Sequence, residues 1–286
     1  MSVKKYTIEE LEKKAVVIRK EIIKMLENAG SGHSAGPMGL ADIFTAFYFD
    51  ILRHDPKKPD WDERDYLILS NGHCVPVRYA AMAEVGYFNK NELSTLRKLG
   101  SRLQGHPERT RLSGLESTSG PLGCGLSQAI GIALALRLNK QHHRWVYVVM
   151  GDGELDEGNI WEAAMMAPRH GLHNIIGVID RNNIQIDGTT EMVMPLEDLK
   201  AKWEAFGWHV IETDGNNIEA FIDACAMARA IVEKPVMIIA HTIPGKGVDF
   251  MEYDFAWHGM PPNHEQAREA LHELRTLQGK IRSEHE

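Results

Sequence analysis

The sequence has little cysteine, no excess of positive charge and no long apolar run. Its three cysteines, Cys74, Cys124 and Cys225, are odd in number and widely spaced, and none forms a C-x-x-C pair. That usage argues against zinc and a disulfide framework and fits a reducing compartment. Lys and Arg number 32 against 40 Asp and Glu, a formal net charge of -8, so phosphate-based binding of nucleic acid is not expected. No stretch approaches the roughly 18 apolar residues needed to cross a bilayer, and the start MSVKKYTIEELEKK lacks the apolar core of a signal peptide. A cytoplasmic protein with no nucleic-acid and no membrane partner is expected. What is present is ordinary for a globular chain: 286 residues, 43% of them hydrophobic, enough to bury one large or two small domains.

Thr7 followed by Glu10 is a capping-box signal, and the apolar pattern through Val16, Ile22, Ile23 and Leu26 predicts a helix that stops near Gly30. Short apolar runs at 66–70, 145–150, 174–180, 208–213 and 235–241 read as strands buried on both faces. Helical patterns at 74–86, 125–139, 157–170, 196–206 and 217–233 separate them, as in βαβ units. The expected fold class is α/β, a mostly parallel sheet with helices on both faces. Ligands of such sheets bind beyond the carboxyl ends of the strands, so the residues after each strand matter most. Two Gly- and Pro-rich connections, 100–124 and 241–263, interrupt the alternation, and their length favours a functional role. From 263 to 286 the chain reads as a charged amphipathic helical tail or connector.

Gly151, Asp152 and Gly153 follow one strand, and Asn182 and Ile184 follow the next, 30 residues on from Asp152 to Asn182. One strand-helix-strand unit spans that distance, so the Asp152 carboxylate and the Asn182 amide oxygen can face one ion, with the Ile184 carbonyl as a third oxygen. Three hard oxygen ligands leave about three octahedral places for diphosphate oxygens and water, which suits Mg²⁺ or Ca²⁺. Glycines 151 and 153 let the backbone approach phosphates, and a helix starting near 157 is expected to point its amides at the site. Taken alone, G-D-G reads equally well as a capped strand-to-helix turn.

The segments GDGELDEGNIWEA (151–163) and VIDRNNIQIDG (178–188) resemble the thiamine-diphosphate signature in its transketolase form. NAGSGHSAGPMGLADI (28–43) is similar to that family's N-terminal S-G-H motif, with Ser34 and Ala35 where Pro-Gly is common. LSNGHCVPVRYA (69–80), G-H-P-E (105–108) and STSGPLGCG (117–125) resemble three further transketolase motifs, the last with Cys124 in place of Gln. Residues 1–262 thus resemble the diphosphate-binding (PP) domain of transketolases.

The resemblance implies thiamine diphosphate as cofactor, with Mg²⁺ or, in its place, Ca²⁺ or Mn²⁺ on Asp152, Asn182 and Ile184. It implies His73, Gly120, Pro121, Leu122, Gly153, Glu154, Asn182 and His258 as cofactor contacts, and His33, His106 and His258 as catalytic histidines at the sugar. Glu157 and Glu162 match acidic residues near the family's dimer axis, although helix-end glutamates are a competing reading. Of the 14 histidines, His142, His143, His170, His173, His209, His264, His272 and His285 read as surface or packing residues, and His54 and His241 as structural. In transketolases the carboxylate that activates the pyrimidine ring belongs to a second domain. The 24 residues from 263 to 286 are too few for such a domain of roughly 100 to 150 residues. The chain is therefore expected to be either a fragment or, as the leading reading, an N-terminal transketolase subunit that transfers a two-carbon ketol unit from a ketose phosphate to an aldose phosphate. It would need a C-terminal subunit carrying the pyrimidine-binding domain, as a dimer of heterodimers. The alternatives are a transketolase subunit for a sulfosugar or branched-sugar phosphate, or a non-catalytic scaffold.

Overall fold

The first helix, α1 (Ile8–Ala29), begins where the capping box places it: the Glu10 amide donates to the Thr7 hydroxyl and the Thr7 amide to the Glu10 carboxylate. It ends at Gly30, whose φ of 61° is left-handed and costs glycine nothing. In the computed structural model, which describes residues 6–276, there follow α2 (Ala35–Gly39), α3 (Ala41–Ala46), β1 (Tyr66–Leu69), α4 (Val75–Val85), α5 (Cys124–Leu138), β2 (Val146–Gly151), α6 (Gly158–Arg169) and β3 (Ile175–Arg181). Next come β4 (Ile184–Gln185), β5 (Gly188–Thr189), α7 (Thr190–Val193), α8 (Leu199–Ala205), β6 (His209–Asp214), α9 (Ile218–Ala230), β7 (Val236–His241) and α10 (His264–Thr276).

The five longer strands form one wholly parallel sheet in the order β1-β2-β3-β7-β6, and β4 and β5 make a small antiparallel hairpin. Alternate side chains of each strand serve different cores. Tyr147, Val149, Ile176, Val178, Val236 and Ile238 join α1 to α4, α9 and α10 on one face. Val146, Val148, Met150, Ile175, Ile179 and Ile239 join α5, α6 and α8 on the other. With both faces covered, no strand needs a polar side, and this is why each reads as an unbroken apolar run.

The chain advances across the sheet through β1, β2 and β3, then returns from the far edge through β6 to β7. Right-handed crossovers in opposite directions put α5 and α6 on one face and α9 on the other, so the loops part between β3 and β7. Register brings the polar residues together there: Gly151 lies beside Asp180, and Asp180 beside Ala240.

Three segments depart from the expected pattern. Residues 35–51 form α2, α3 and a π-helical turn, Phe47–Ile51, where no element was expected. A 3-10 turn, Gly153–Asp156, separates β2 from α6, so the backbone bordering the cavity described below belongs to Gly153 and Glu154, and the start of α6 does not reach it. That corrects the expected helix N-terminus; the turn forms because the Glu154 carboxylate reaches back to the Gly151 amide, 3.1 Å away. The segment expected from 263 forms α10, whose Ala267, Ala270 and Leu274 are buried in the core shared with α1; positions 277–286, and His285 with them, lie outside the described residues. Among the described residues no helix is long and apolar enough to cross a membrane.

Candidate active site

At the carboxyl edge of the sheet a cavity of about 200 Å³ is lined by the ends of β2 and β3, the β4–β5 hairpin, and the loops carrying Asn71, His73, Leu122 and His258. Asp152, Gly153, Glu154, Asn182 and Ile184 all border it. The two halves expected from spacing alone thus meet.

Asp152 is 1% exposed, and its two oxygens accept from the amides of Gly153 (2.8 Å) and Asn183 (2.7 Å). The Arg181 guanidinium approaches at 3.3 Å but also pairs with Glu191. Burial outweighs these partners and pushes the Asp152 carboxyl up to about 6. Behind it lies Asp180, fully buried and pushed up to about 7 by burial, although it accepts from the Thr242 hydroxyl and from Asn182 Nδ2 at 2.8 Å. With Nδ2 so occupied, Asn182 Oδ1 is turned to the Ile184 amide, 3.0 Å away, and keeps a lone pair free. Asn183 between them has a φ of 64°, a left-handed conformation that asparagine tolerates better than other side chains, and this tight turn sets Asn182 and Ile184 side by side.

Two buried acids whose charge the protein leaves undercompensated, beside an amide oxygen and a carbonyl, are the donor chemistry of a hard divalent cation. Among the described residues no three His, Cys, Asp or Glu side chains are grouped to hold a metal, so any ion here depends on the single Asp152 carboxylate, Asn182, Ile184 and the ligand's own oxygens.

Three of the four loop histidines converge. The ring centroid of His33 lies 4.6 Å from that of His73 and 5.6 Å from that of His258, and His73 and His258 are 5.5 Å apart. Burial lowers all three from the usual imidazole value, His33 to about 4, with mutual repulsion adding for His33 and His73. They are neutral at pH 7 and able to take or share protons. The Nδ1 atoms of His33 and His258 are buried without a partner, as is expected where a polar ligand completes the site. His106 stands apart on the exposed rim beside Gly120, where an added Cβ would lie 3.5 Å from its Cγ. Burial and then Arg97 lower its affinity for a proton.

Glu154 borders the cavity, yet its carboxylate is spent on protein donors: the Ser70 hydroxyl and the amides of Gly123 (2.6 Å) and Gly151 (3.1 Å). It clamps the 120–124 loop to the end of β2. Leu122 enters the cavity lining, whereas Pro121 is exposed. Cys124 opens α5, and its sulfur accepts from Asn159 Nδ2 at 3.7 Å. Ser34, where Pro is common, donates to the carbonyls of Trp257 (3.4 Å) and Met260 and so ties the His33 turn to the His258 loop. Glu157 and Glu162 are exposed, and Glu157 makes no side-chain cap at α6. His54 bridges the Tyr87 hydroxyl and the Tyr48 carbonyl. Asn71, Asp180, Thr242 and Arg97 belong to the site's surroundings and were not singled out from sequence, although Asn71 and Asp180 lay within quoted motifs.

Fold and site together define an α/β chain whose sheet edge gathers buried acids, an amide oxygen and clustered histidines around one cavity. Residues 11–277 match the family described as transketolase, thiamine diphosphate binding domain. The chain is 42% identical to the 6-deoxy-6-sulfo-D-fructose transketolase subunit SqwG of Clostridium sp. (strain MSTE9), covering 93% of this chain and 96% of that one. It is 40% identical to an apulose-4-phosphate transketolase subunit of Phocaeicola vulgatus, covering 93% and 94%. A mutant transketolase from Pichia stipitis superposes with a TM-score of 0.88 at 33% identity, covering 96% of this chain but 41% of that longer one. The chain belongs to the transketolase family and corresponds to its N-terminal, thiamine diphosphate binding part.

Proposed function

We propose that the chain is the diphosphate-binding subunit of a two-chain transketolase that moves a two-carbon ketol unit from a ketose phosphate to an aldose phosphate. The observation that carries this is the match to transketolase subunits over nearly their whole length, in a chain whose cavity is lined by Asp152, Asn182, Ile184, His73 and His258. Asp152, Asn182 and the Ile184 carbonyl would hold Mg²⁺, with Ca²⁺ or Mn²⁺ able to replace it, and His73 and Gly153 would face the diphosphate. Thiamine diphosphate supplies the carbanion chemistry when bound. The protein's part is binding, orientation and protons. His258 and His33, whose Nδ1 atoms have no protein partner, would exchange protons with a sugar hydroxyl or carbonyl. His106 on the rim would grip a donor hydroxyl. The clamp by Glu154 would hold Gly120 and Leu122 against the pyrimidine side.

The activating carboxylate and the phosphate-binding basic residues would come from a C-terminal subunit in a dimer of heterodimers, with Glu157 and Glu162 near its axis. The free thiols of Cys74, Cys124 and Cys225 support a cytoplasmic setting. The test is turnover of xylulose 5-phosphate plus ribose 5-phosphate by the purified chain, alone and with its partner. Activity with the partner only is expected; full activity of the single chain would refute the two-chain reading. A second reading, an unusual donor sugar, is favoured by the substrates in the names of the two relatives given above. A donor panel including 6-deoxy-6-sulfo-D-fructose and branched-sugar phosphates decides between them by kcat/KM.

A further inference from the structure

Asn71 is a side chain that no role described so far uses. It is 1% exposed, it lines the cavity, and both its Nδ2 and its Oδ1 are buried without a partner. Among the described residues it is the one carboxamide with both ends so orphaned. A primary amide offers two donors and two acceptor lone pairs, and leaving them buried and unpaired opposes folding. Native proteins seldom leave such a group unpaired, and at the wall of a cavity a bound ligand can supply the partners.

The backbone around Asn71 is held from both sides. The Ser70 amide donates to the Val149 carbonyl (2.8 Å), the Ser70 hydroxyl donates to Glu154, and the Gly125 amide donates to Ser70 Oγ (3.0 Å). Gly72, on the other side, packs so closely on the next loop that an added Cβ would lie 2.6 Å from Ser119 Oγ and 3.0 Å from the Gly120 nitrogen. None of these contacts involves the Asn71 side chain, so the amide is fixed in place without contributing to its own anchorage. It sits beside the end of β2, with Nδ2 3.9 Å from where a Cβ on Gly151 would be. The acids nearby, Asp152, Glu154 and Asp180, would repel an anion, so the oxygens of a bound anion need neutral donors as well as a cation.

Resting on the function proposed above, we infer that Asn71 is a further diphosphate-binding residue, its Nδ2 donating to a diphosphate oxygen of the cofactor. The test is calorimetric titration of thiamine diphosphate, and separately of inorganic pyrophosphate, into the chain in the presence of Mg²⁺ and its partner subunit. Asn71→Ala is expected to raise Kd for both ligands by the same factor, about 10- to 100-fold, the loss of one hydrogen bond to a charged group. Asn71→Asp, which adds a repelling charge, should lose more. The melting temperature of the cofactor-free Asn71→Ala chain should be unchanged or higher, because an orphaned amide has been removed. An unchanged Kd overturns the inference, as does a fall in cofactor-free melting temperature that accounts for the binding loss, since that would make Asn71 a structural support. A loss confined to thiamine diphosphate also overturns it, by moving the contact to the rings. If the unmutated pair binds no thiamine diphosphate at all, the proposed function fails and the inference with it; normal binding by both the unmutated pair and Asn71→Ala removes only the inference.

Discussion

Two buried polar clusters lie within the same fold and are finished differently. Under α1, Arg19 donates to the Met38 carbonyl and to both oxygens of Asp42, while Asn216 donates to Asp42 and to the Gly39 carbonyl and accepts from the Ile243 amide. Every one of its polar side chains has a partner in the protein. At the carboxyl edge of the sheet the opposite holds: Asn71, His33 and His258 keep buried atoms unpaired, and Asp152 and Asp180 carry carboxyls pushed up by burial. A saturated network holds elements together, whereas an unsaturated one costs stability that a bound ligand returns.

The sharpest way to break this comparison is in the saturated cluster. Asp42→Ala leaves the Arg19 guanidinium buried without a counter-charge, and should cost about 3–5 kcal/mol in chemical denaturation while leaving cofactor affinity of the folded fraction intact. In the unsaturated cluster the balance differs: Asp152→Ala should weaken metal-dependent binding of thiamine diphosphate by about 100-fold or more, near 3 kcal/mol, yet lower cofactor-free stability less than Asp42→Ala, because burial opposes the Asp152 charge that its donors favour. Equal destabilisation by both variants would erase the distinction.

The histidines sharpen it by pH. His33 is held near 4 in the fold against 6.5 in the unfolded chain, so the unfolded state takes up a proton first as pH falls. Its contribution is intact above pH 6.5 and is lost progressively toward 4, about 2 kcal/mol by pH 5. His33→Gln should flatten the acid fall of the melting temperature by that amount, and an identical profile would show that His33 is not held neutral. The smallest effect is expected far from either cluster, where Thr7→Ala removes the α1 cap and should cost about 1 kcal/mol, read as a melting shift with unchanged kinetics.

Much of the fold was legible because a doubly covered parallel sheet writes itself as short apolar runs, and β1, β2, β3, β6 and β7 lie where those runs do. The segment Ala41–Ile51 escaped for the same reason carried further: Phe44, Phe47, Tyr48, Phe49 and Ile51 are buried all round, so no polar face remains to mark a helical period. The β4–β5 hairpin was too short to show an alternation. In the site, spacing predicted the meeting of Asp152, Asn182 and Ile184, since one strand-helix-strand unit returns the chain to an adjacent strand end. The pairing of Asp180 with Thr242 was invisible, because it depends on β3 lying beside β7, and those strands are neighbours only through a crossover that skips to the edge and returns.

By itself, then, the sequence determined the class of fold through local periodicity, the family through its spaced motifs, and the meeting of Asp152, Asn182 and Ile184 through spacing within one βαβ unit. Tertiary structure alone decided that three histidines from distant loops cluster together, two of them lining one cavity, that Glu154 is a clamp, and that the Asn71 amide is buried without a partner. Whether a polar group is satisfied depends on which segments fold against it, and a linear pattern does not carry that information.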